Sequence, residues 1–187
     1  LDVGTGVGQF LQMLTDAGAE GVGVEPSSLR RAFALQRFGI QLHREPIEEP
    51  FWEKERNAFD LITLWDVLEH VNDPVATIEA AFSLLKPGGW LFLETDNRDT
   101  AIYRLSDLSY RLTGGRVPLF LPDFYRPIPY GHKQIFCPAQ LYPLIGRCGF
   151  DLIAAAPGCK ESRQVKTVTH SPRGQIVLVA QKPCTDR

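Results

Sequence analysis

What this chain of 187 residues lacks narrows its possibilities before any motif is read. Its four cysteines, Cys137, Cys148, Cys159 and Cys184, form no CxxC pair and share no Cys/His spacing suited to a tetrahedral metal site. No metal is therefore expected, and the thiols are read as reduced. No apolar run approaches the roughly 20 residues that span a bilayer, and no charged-then-apolar signal segment opens the chain. A cytoplasmic location without a transmembrane segment is the expectation. The 20 Lys and Arg residues face 22 Asp and Glu, a net charge of −2, with no basic run to hold a polyanion. Nucleic acid is excluded as the main partner. Internal repeats and low-complexity tracts are absent as well.

What is present is an ordinary globular composition, 44% hydrophobic and 22% charged, in a length that suits one domain over residues 1–187. The chain reaches a glycine loop within four residues, whereas a buried parallel strand usually has about five or six. The domain is therefore expected to be incomplete at its N-terminal end.

Hydrophobic spacing predicts alternating helices and strands. Phe10, Leu11 and Leu14 imply a helix over 8–17, stopped near Gly18. Gly21 to Pro26 reads as a short strand, and Ser27 and Ser28 can cap a helix over 29–38 that Gly39 ends. Ile40 to Leu42 suggests a third strand. Phe59 to Trp65 is nearly continuous apolar sequence, as in a strand covered on both faces. Asp73-Pro74 opens a helix with the stripe Ile78, Ala81, Phe82 and Leu85, and Lys86-Pro87-Gly88-Gly89 predicts a turn before the strand Trp90 to Glu94. A helix is expected over 139–148, with closing strands over 150–156 and 175–180 joined by a polar hairpin loop, Lys160 to Arg173. Such alternation implies an α/β, doubly wound, mainly parallel sheet of seven strands, with helices on both faces and an antiparallel edge strand. Ligands of such sheets bind at the carboxyl ends of the strands.

The loop Asp2-Val3-Gly4-Thr5-Gly6-Val7-Gly8 lies at such an end, where glycine admits close approach of a ligand and helix-start amides can meet its oxygens. A nicotinamide-dependent oxidoreductase is the competing interpretation. Its G-x-G-x-x-G pattern would need glycine at position 9 or 11, which Gln9 and Leu11 occupy. Glu25, at the end of the second strand, can accept hydrogen bonds from a ribose diol.

The acid-preceded triplet Gly4, Gly6, Gly8 resembles the first motif of class I S-adenosylmethionine-dependent methyltransferases. Phe59-Asp60-Leu61-Ile62 with Trp65-Asp66-Val67-Leu68-Glu69-His70-Val71, and Leu84-Leu85-Lys86-Pro87-Gly88-Gly89, resemble motifs of their ubiquinone-biosynthesis-like group (methyltransferase types 11 and 23). The similarity covers about residues 1 to 95 and continues more weakly in Gly131 to Cys137 and Gly149-Phe150. The resemblance implies a Rossmann-like methyltransferase fold, S-adenosylmethionine as cofactor with S-adenosylhomocysteine as product, and methyl transfer to a small-molecule acceptor. It implies that Asp2, Gly4, Thr5, Gly6 and Gly8 surround the methionine part and Glu25 the ribose. Pro46 and Ile47 would flank adenine, Glu45 or Glu48 would meet its amine, and Trp65 and Asp66 would line the cofactor.

Residues 97–131 form a lid-like insertion, with a helix over 100–112 and then Pro118, Pro122, Pro127 and Pro129 among aromatic residues. An apolar or aromatic acceptor suits it, and Arg104, Arg111, Arg116 and Arg126 could meet an acidic one. His132, just after it, is the candidate general base. His70 is expected to be structural, and His43 and His170 have no motif context. A third reading is a non-catalytic methyltransferase-like binding module.

Overall fold

The computed structural model describes residues 1–125, 131–156, 166–167 and 174–184. Arg126, Pro127, Pro129, Cys159, His170 and most of the expected 160–173 loop lie outside the described residues. Among the described residues seven strands form one sheet in the order β2-β1-β3-β4-β7-β5-β6. They are β1 (Asp2–Val3), β2 (Gly23–Val24), β3 (Phe59–Trp65), β4 (Leu85–Thr95), β5 (Asp151–Ala156), β6 (Lys166–Thr167) and β7 (Ile176–Gln181). Strands β1 to β4 are mutually parallel, and β7 is antiparallel to both β4 and β5. The antiparallel strand thus lies inside the margin, with β5 and the short β6 beyond it. The chain leaves β1 toward β2 on one side and returns as β3 on the other. That reversal opens a crevice at the carboxyl ends of β1 and β3.

The helices follow their local signals. In α1 (Gln9–Asp16) the capping residue is Gly8, at φ 78°. Ser27 caps α2 (Ser28–Phe38), its hydroxyl accepting from the Arg30 amide, and Gly39 at φ 70° ends it. In α3 (Pro74–Leu84) the Asp73 carboxylate accepts from the Val75 and Ala76 amides at 3.0 and 3.1 Å, and Pro74 fills the first turn, where no amide is needed. The insertion supplies α4 (Ala101–Leu112) and α5 (Leu121–Phe124), and α6 (Pro138–Arg147) leads into β5. No helix among the described residues is long and apolar enough to cross a membrane.

The core runs through the sheet. Ile62, Leu64, Ile78, Leu91, Leu93, Leu141, Ile145 and Leu178 are completely buried, each such side chain stabilising the fold by about 1.5–3 kcal/mol. A smaller cluster of Leu11, Ala34 and Leu42 holds α1 and α2 against the β2 edge.

Two local expectations change. The third strand shrinks to a single parallel bridge between His43 and Val24, made by the bonds His43 N–H to Gly23 O and Glu25 N–H to His43 O. Leu42 before it turns into the smaller cluster, and Pro46 shortly after has no amide for a ladder. The Lys86–Gly89 turn is looped out within β4: Phe59 pairs with Leu85, and pairing resumes at Leu61 with Trp90. Gly89 is required there, because a Cβ would lie 2.9 Å from the Lys86 carbonyl oxygen. Leu85, expected on the helix stripe, is the first residue of that strand.

Candidate functional site

At the crevice the backbone of the opening loop is tied to the second strand. The Gly4 and Thr5 amides both donate to Val24 O, at 2.8 and 3.0 Å. Gly4, Gly6 and Gly8 all have φ between 61° and 78°, the region that disfavours a side chain. Their surroundings differ. A Cβ on Gly4 would collide with Val67 Cγ2 at 2.5 Å, and one on Gly8 would press on Ala34 at 3.3 Å. A Cβ on Gly6 would meet nothing within 4 Å. Packing therefore restricts the first and third glycines, whereas a side chain at the middle one would project into open space.

Glu25 is buried at 2% exposure, yet its carboxylate is well served. Oε2 accepts from the Gly6 amide at 3.0 Å, Oε1 accepts from the Ser27 amide at 2.8 Å, and Arg30 stands 3.6 Å from Oε2. Each oxygen keeps lone-pair capacity beyond these bonds, so the acid is fixed in place without being saturated. Asp2 is equally buried and accepts from the Thr63 hydroxyl at 2.6 Å. Burial pushes its carboxyl above the ordinary carboxylate range, and the Thr63 bond opposes that shift.

A cavity of about 320 Å³ opens here, lined by Asp2, Gly4, Thr5, Phe10 and Trp65. That is within the size range of small-molecule pockets, about 300–1,000 Å³. Four of its lining residues were expected from sequence. Phe10 was assigned only to the apolar face of α1, but Leu11 is that helix's buried residue and Phe10 turns to the cavity, its ring 5.8 Å from Trp65 at 80°. Its position in the first helical turn after Gly8 is the signal that could have identified it.

The other expected residues are more dispersed. Asp66 follows β3 at φ 51° and accepts from the Gln175 side chain at 3.1 Å. Ile47 is taken up by the core, and Pro46 before it is exposed. Glu45 pairs with Arg44, whose hydrogen bonds hold its carboxyl below the ordinary value, while Glu48 accepts from the Thr77 hydroxyl of α3.

A second group gathers past the ends of β3 and β4. The Lys133 amide donates to Glu69 O, which lays the 131–136 segment against the 68–71 turn. This brings the His70 and His132 rings to 4.8 Å, and places His132 Nδ1 3.3 Å from Asp96 Oδ2, an ion-pair distance once the ring is protonated. Glu69 is buried and accepts from the Thr95 hydroxyl at 2.7 Å. Desolvation, and next the Asp66 and Asp96 charges, push its carboxyl up to about 7 against the pull of the Thr95 bond. Burial lowers the His70 pKa, with neighbouring His132 acting in the same direction. Ligand atoms of Glu69, His70 and His132 lie within 4.8 Å of one another, close enough to hold a cation between them. No spacing rule could find that grouping, since His70 and His132 are 62 positions apart.

A methyltransferase-domain family model matches residues 1–155. The chain belongs to the methyltransferase-domain family. It is 32% identical over 142 residues to the ubiquinone biosynthesis O-methyltransferase of Nitrosococcus oceani, covering 73% of this chain and 60% of that protein. To the protein of the same name from Xanthomonas axonopodis pv. citri it is 37% identical over 160 residues, covering 81% and 62%. The chain thus spans about three-fifths of the length of these curated relatives. Among solved structures, S-adenosylmethionine-dependent methyltransferases from Methanosarcina mazei superpose with a TM-score of 0.70 at 19% identity, over 98% of this chain and 92% of that one. At that identity the likeness establishes the Rossmann-like methyltransferase fold. Membership in this family, rather than in a dinucleotide-binding one, agrees with Gln9 standing where an oxidoreductase motif needs glycine.

Proposed function

We propose that this methyltransferase domain binds S-adenosylmethionine across the opening loop and transfers its methyl group to a hydroxyl of an apolar or aromatic small molecule. The observation that carries the proposal is the pairing of a loop open to backbone approach at Gly6 with a buried, fixed carboxylate at Glu25 that retains acceptor capacity. The residues present fit such a donor: an apolar cavity wall for its uncharged parts, Asp2 for a cationic group, and Glu25 for a ribose diol. In this scheme Gly8 leaves room for Ala34 of α2 beneath the loop, and Pro46, Ile47 and Asp66 are carried as cofactor contacts by the family resemblance alone.

Once bound, the donor supplies an electrophilic methyl on a sulfonium, so the protein's main task is to align the acceptor and exclude water. His132 would take the acceptor hydroxyl proton on a ring nitrogen as the hydroxyl oxygen is methylated. His70 stands beside it, the two rings 4.8 Å apart, and Asp96 Oδ2 lies 3.3 Å from its Nδ1, where a carboxylate can meet the ring once it carries the proton. Residues 97–131 serve as the lid. Its helices are tied into one unit by the Ser109 hydroxyl on Val117 O, the Val117 amide on Thr113 Oγ1 and the Phe120 amide on Ser106 Oγ, while the Tyr103 and Tyr125 hydroxyls meet at 2.8 Å. That unit presents Ile102, Leu105, Leu108 and Phe120 as exposed apolar surface for an acceptor of the same character.

The names of the curated relatives favour oxygen as the methylated atom. The test is transfer of labelled methyl from S-adenosylmethionine to a panel of hydroxylated aromatic compounds by the full-length protein. Label in an ether product supports the proposal, and label confined to amines or carbon, or to no product, refutes it.

A further inference from the structure

Asp66 follows β3 in a left-handed backbone conformation, φ 51°, which side chains disfavour. Of the residues with side chains found there among the described ones, Asn57, Asp66 and Leu119, it alone is next in sequence to a wall of the cavity, at Trp65. Such a conformation persists where its surroundings hold it. The Asp66 amide donates to Glu94 O at 3.1 Å, and the Asp66 carboxylate accepts from Gln175 Nε2 at 3.1 Å, across 109 positions of chain. A carboxylate only accepts, so the glutamine must turn its NH2 group toward it. Gln175 is buried, and a buried donor is costly to leave unpaired, which ties this amide to Asp66. Asp66 itself is exposed and does not line the donor cavity. Burial pushes the Glu69 carboxyl up and the His70 ring down, and the Asp66 charge acts on both groups. Gly174, beside Gln175, abuts the residue that caps α4: a Cβ on it would come within 3.0 Å of Thr100 Cγ2. Asp66 is thus held from the root of the lid, on the side of the Glu69–His70 turn rather than of the donor.

We propose that Gln175 is a positioning residue for methyl transfer, fixing the Asp66 carboxylate at the acceptor side of the crevice, where it accepts a hydrogen bond from the acceptor. The hydroxyl that is methylated gives its single proton to the base, so the group that meets Asp66 is a second hydrogen-bond donor on the same acceptor. Asp66 is thereby taken from the donor, to which the family resemblance carries it, to acceptor recognition, an assignment that deepens the proposed O-methyl transfer and rests on it. A site built around such a bond discriminates against an acceptor that lacks the second donor, because the carboxylate then loses its partner.

The experiment is transfer of labelled methyl from S-adenosylmethionine by the full-length protein to a panel of alkylated catechols and the matching phenols, tert-butylcatechol with tert-butylphenol first. Donor Kd is read by calorimetry on the same proteins. Wild-type protein is expected to prefer each catechol to its phenol. Gln175→Leu should lower kcat/KM for the catechols by about 10- to 100-fold, the scale of a misplaced contact, with phenol turnover and donor Kd little changed. Asp66→Gly keeps the backbone conformation and should lose at least as much, and the double variant should be no worse than Asp66→Gly, since Gln175 acts through Asp66. Should Gln175→Leu fail to fold by circular dichroism, the isosteric Gln175→Glu serves. It sets a second carboxylate against Asp66, and its catechol preference should return as pH falls and one proton bridges the pair. Equal losses on catechols and phenols, additive losses in the double variant, a weakened donor Kd, or a wild type without the preference would overturn the inference alone. Absence of transfer by wild-type protein to every member of the panel would instead overturn the O-methyl transfer itself, and the role of Gln175 with it.

Discussion

Glu69→Gln offers a quantitative check on the buried chemistry behind the site. The wild-type carboxyl is pushed from its ordinary 4.5 up to about 7, chiefly by burial. A folded-state value above the unfolded one means that the folded protein holds a proton the unfolded chain gives up. Glu69 therefore contributes its full stability below about pH 4.5, and loses it as pH rises toward 7. At about 1.4 kcal/mol per pH unit, the loss across that window is roughly 3 kcal/mol. Glutamine has nearly the same shape and still accepts from the Thr95 hydroxyl, but does not titrate. The two proteins should be close in stability at pH 4.5, and the variant should be ahead by roughly 3 kcal/mol at pH 7.5. Urea unfolding of both proteins at a series of pH values measures this, and ionisation of Asp66, Asp96, His70 and His132, common to both, largely cancels in the difference. A gap that stays constant with pH would refute the reasoning, because the carboxyl would then not be raised by its surroundings.

Further substitutions separate packing from ligand contact. Gly4→Ala meets Val67 at 2.5 Å and should destabilise the fold by about 1–3 kcal/mol, read as a lower Tm, whereas Gly6→Ala meets nothing. Gly6→Ala should therefore cost about 1 kcal/mol of backbone strain while lowering donor affinity at least about tenfold. For His132→Ala, turnover should fall with donor Kd nearly unchanged, by about 10²–10⁴-fold if the ring is the base; equal losses in both would make it structural. Lys182→Met removes a buried ammonium that donates at 2.8 Å to Asn57 Oδ1, Phe82 O and Leu85 O near the end of α3, and lies 4.6 Å from the Phe82 ring. Its expected effect is a loss of about 2–4 kcal/mol in urea unfolding without change in donor binding.

The glycine loop, Glu25, the helix starts at Ser27 and Asp73, and the buried strand at Phe59 were legible because each depends on neighbours within a few positions. Hydrophobic period and capping chemistry are local properties. Phe10 and Leu11 show where that locality ends: adjacent apolar residues at a helix start gave no sign that one joins the core and the other the cavity. His70 and His132 are distant in the chain, and so are Glu69 and Thr95. Their meeting depends on how the 131–136 segment crosses the end of β3, which no spacing encodes. The third strand was over-read because Ile40-Gln41-Leu42 has strand-like residues whose side chains are used to seal α1 and α2. Lys86-Pro87-Gly88-Gly89 has the composition of a turn before a strand, but it lies within β4, and that the strand pairs on both sides of it is visible only in the register with β3.

The claim that matters most is that the loop and Glu25 hold a nucleoside donor, and calorimetric titration of the full-length protein with S-adenosylhomocysteine tests it most directly. Saturable binding in the micromolar range, weakened by about 1–3 kcal/mol in Glu25→Ala through loss of a charged acceptor, is the predicted result. No saturable binding by the wild-type protein, or a dissociation constant unmoved by Glu25→Ala, would contradict it.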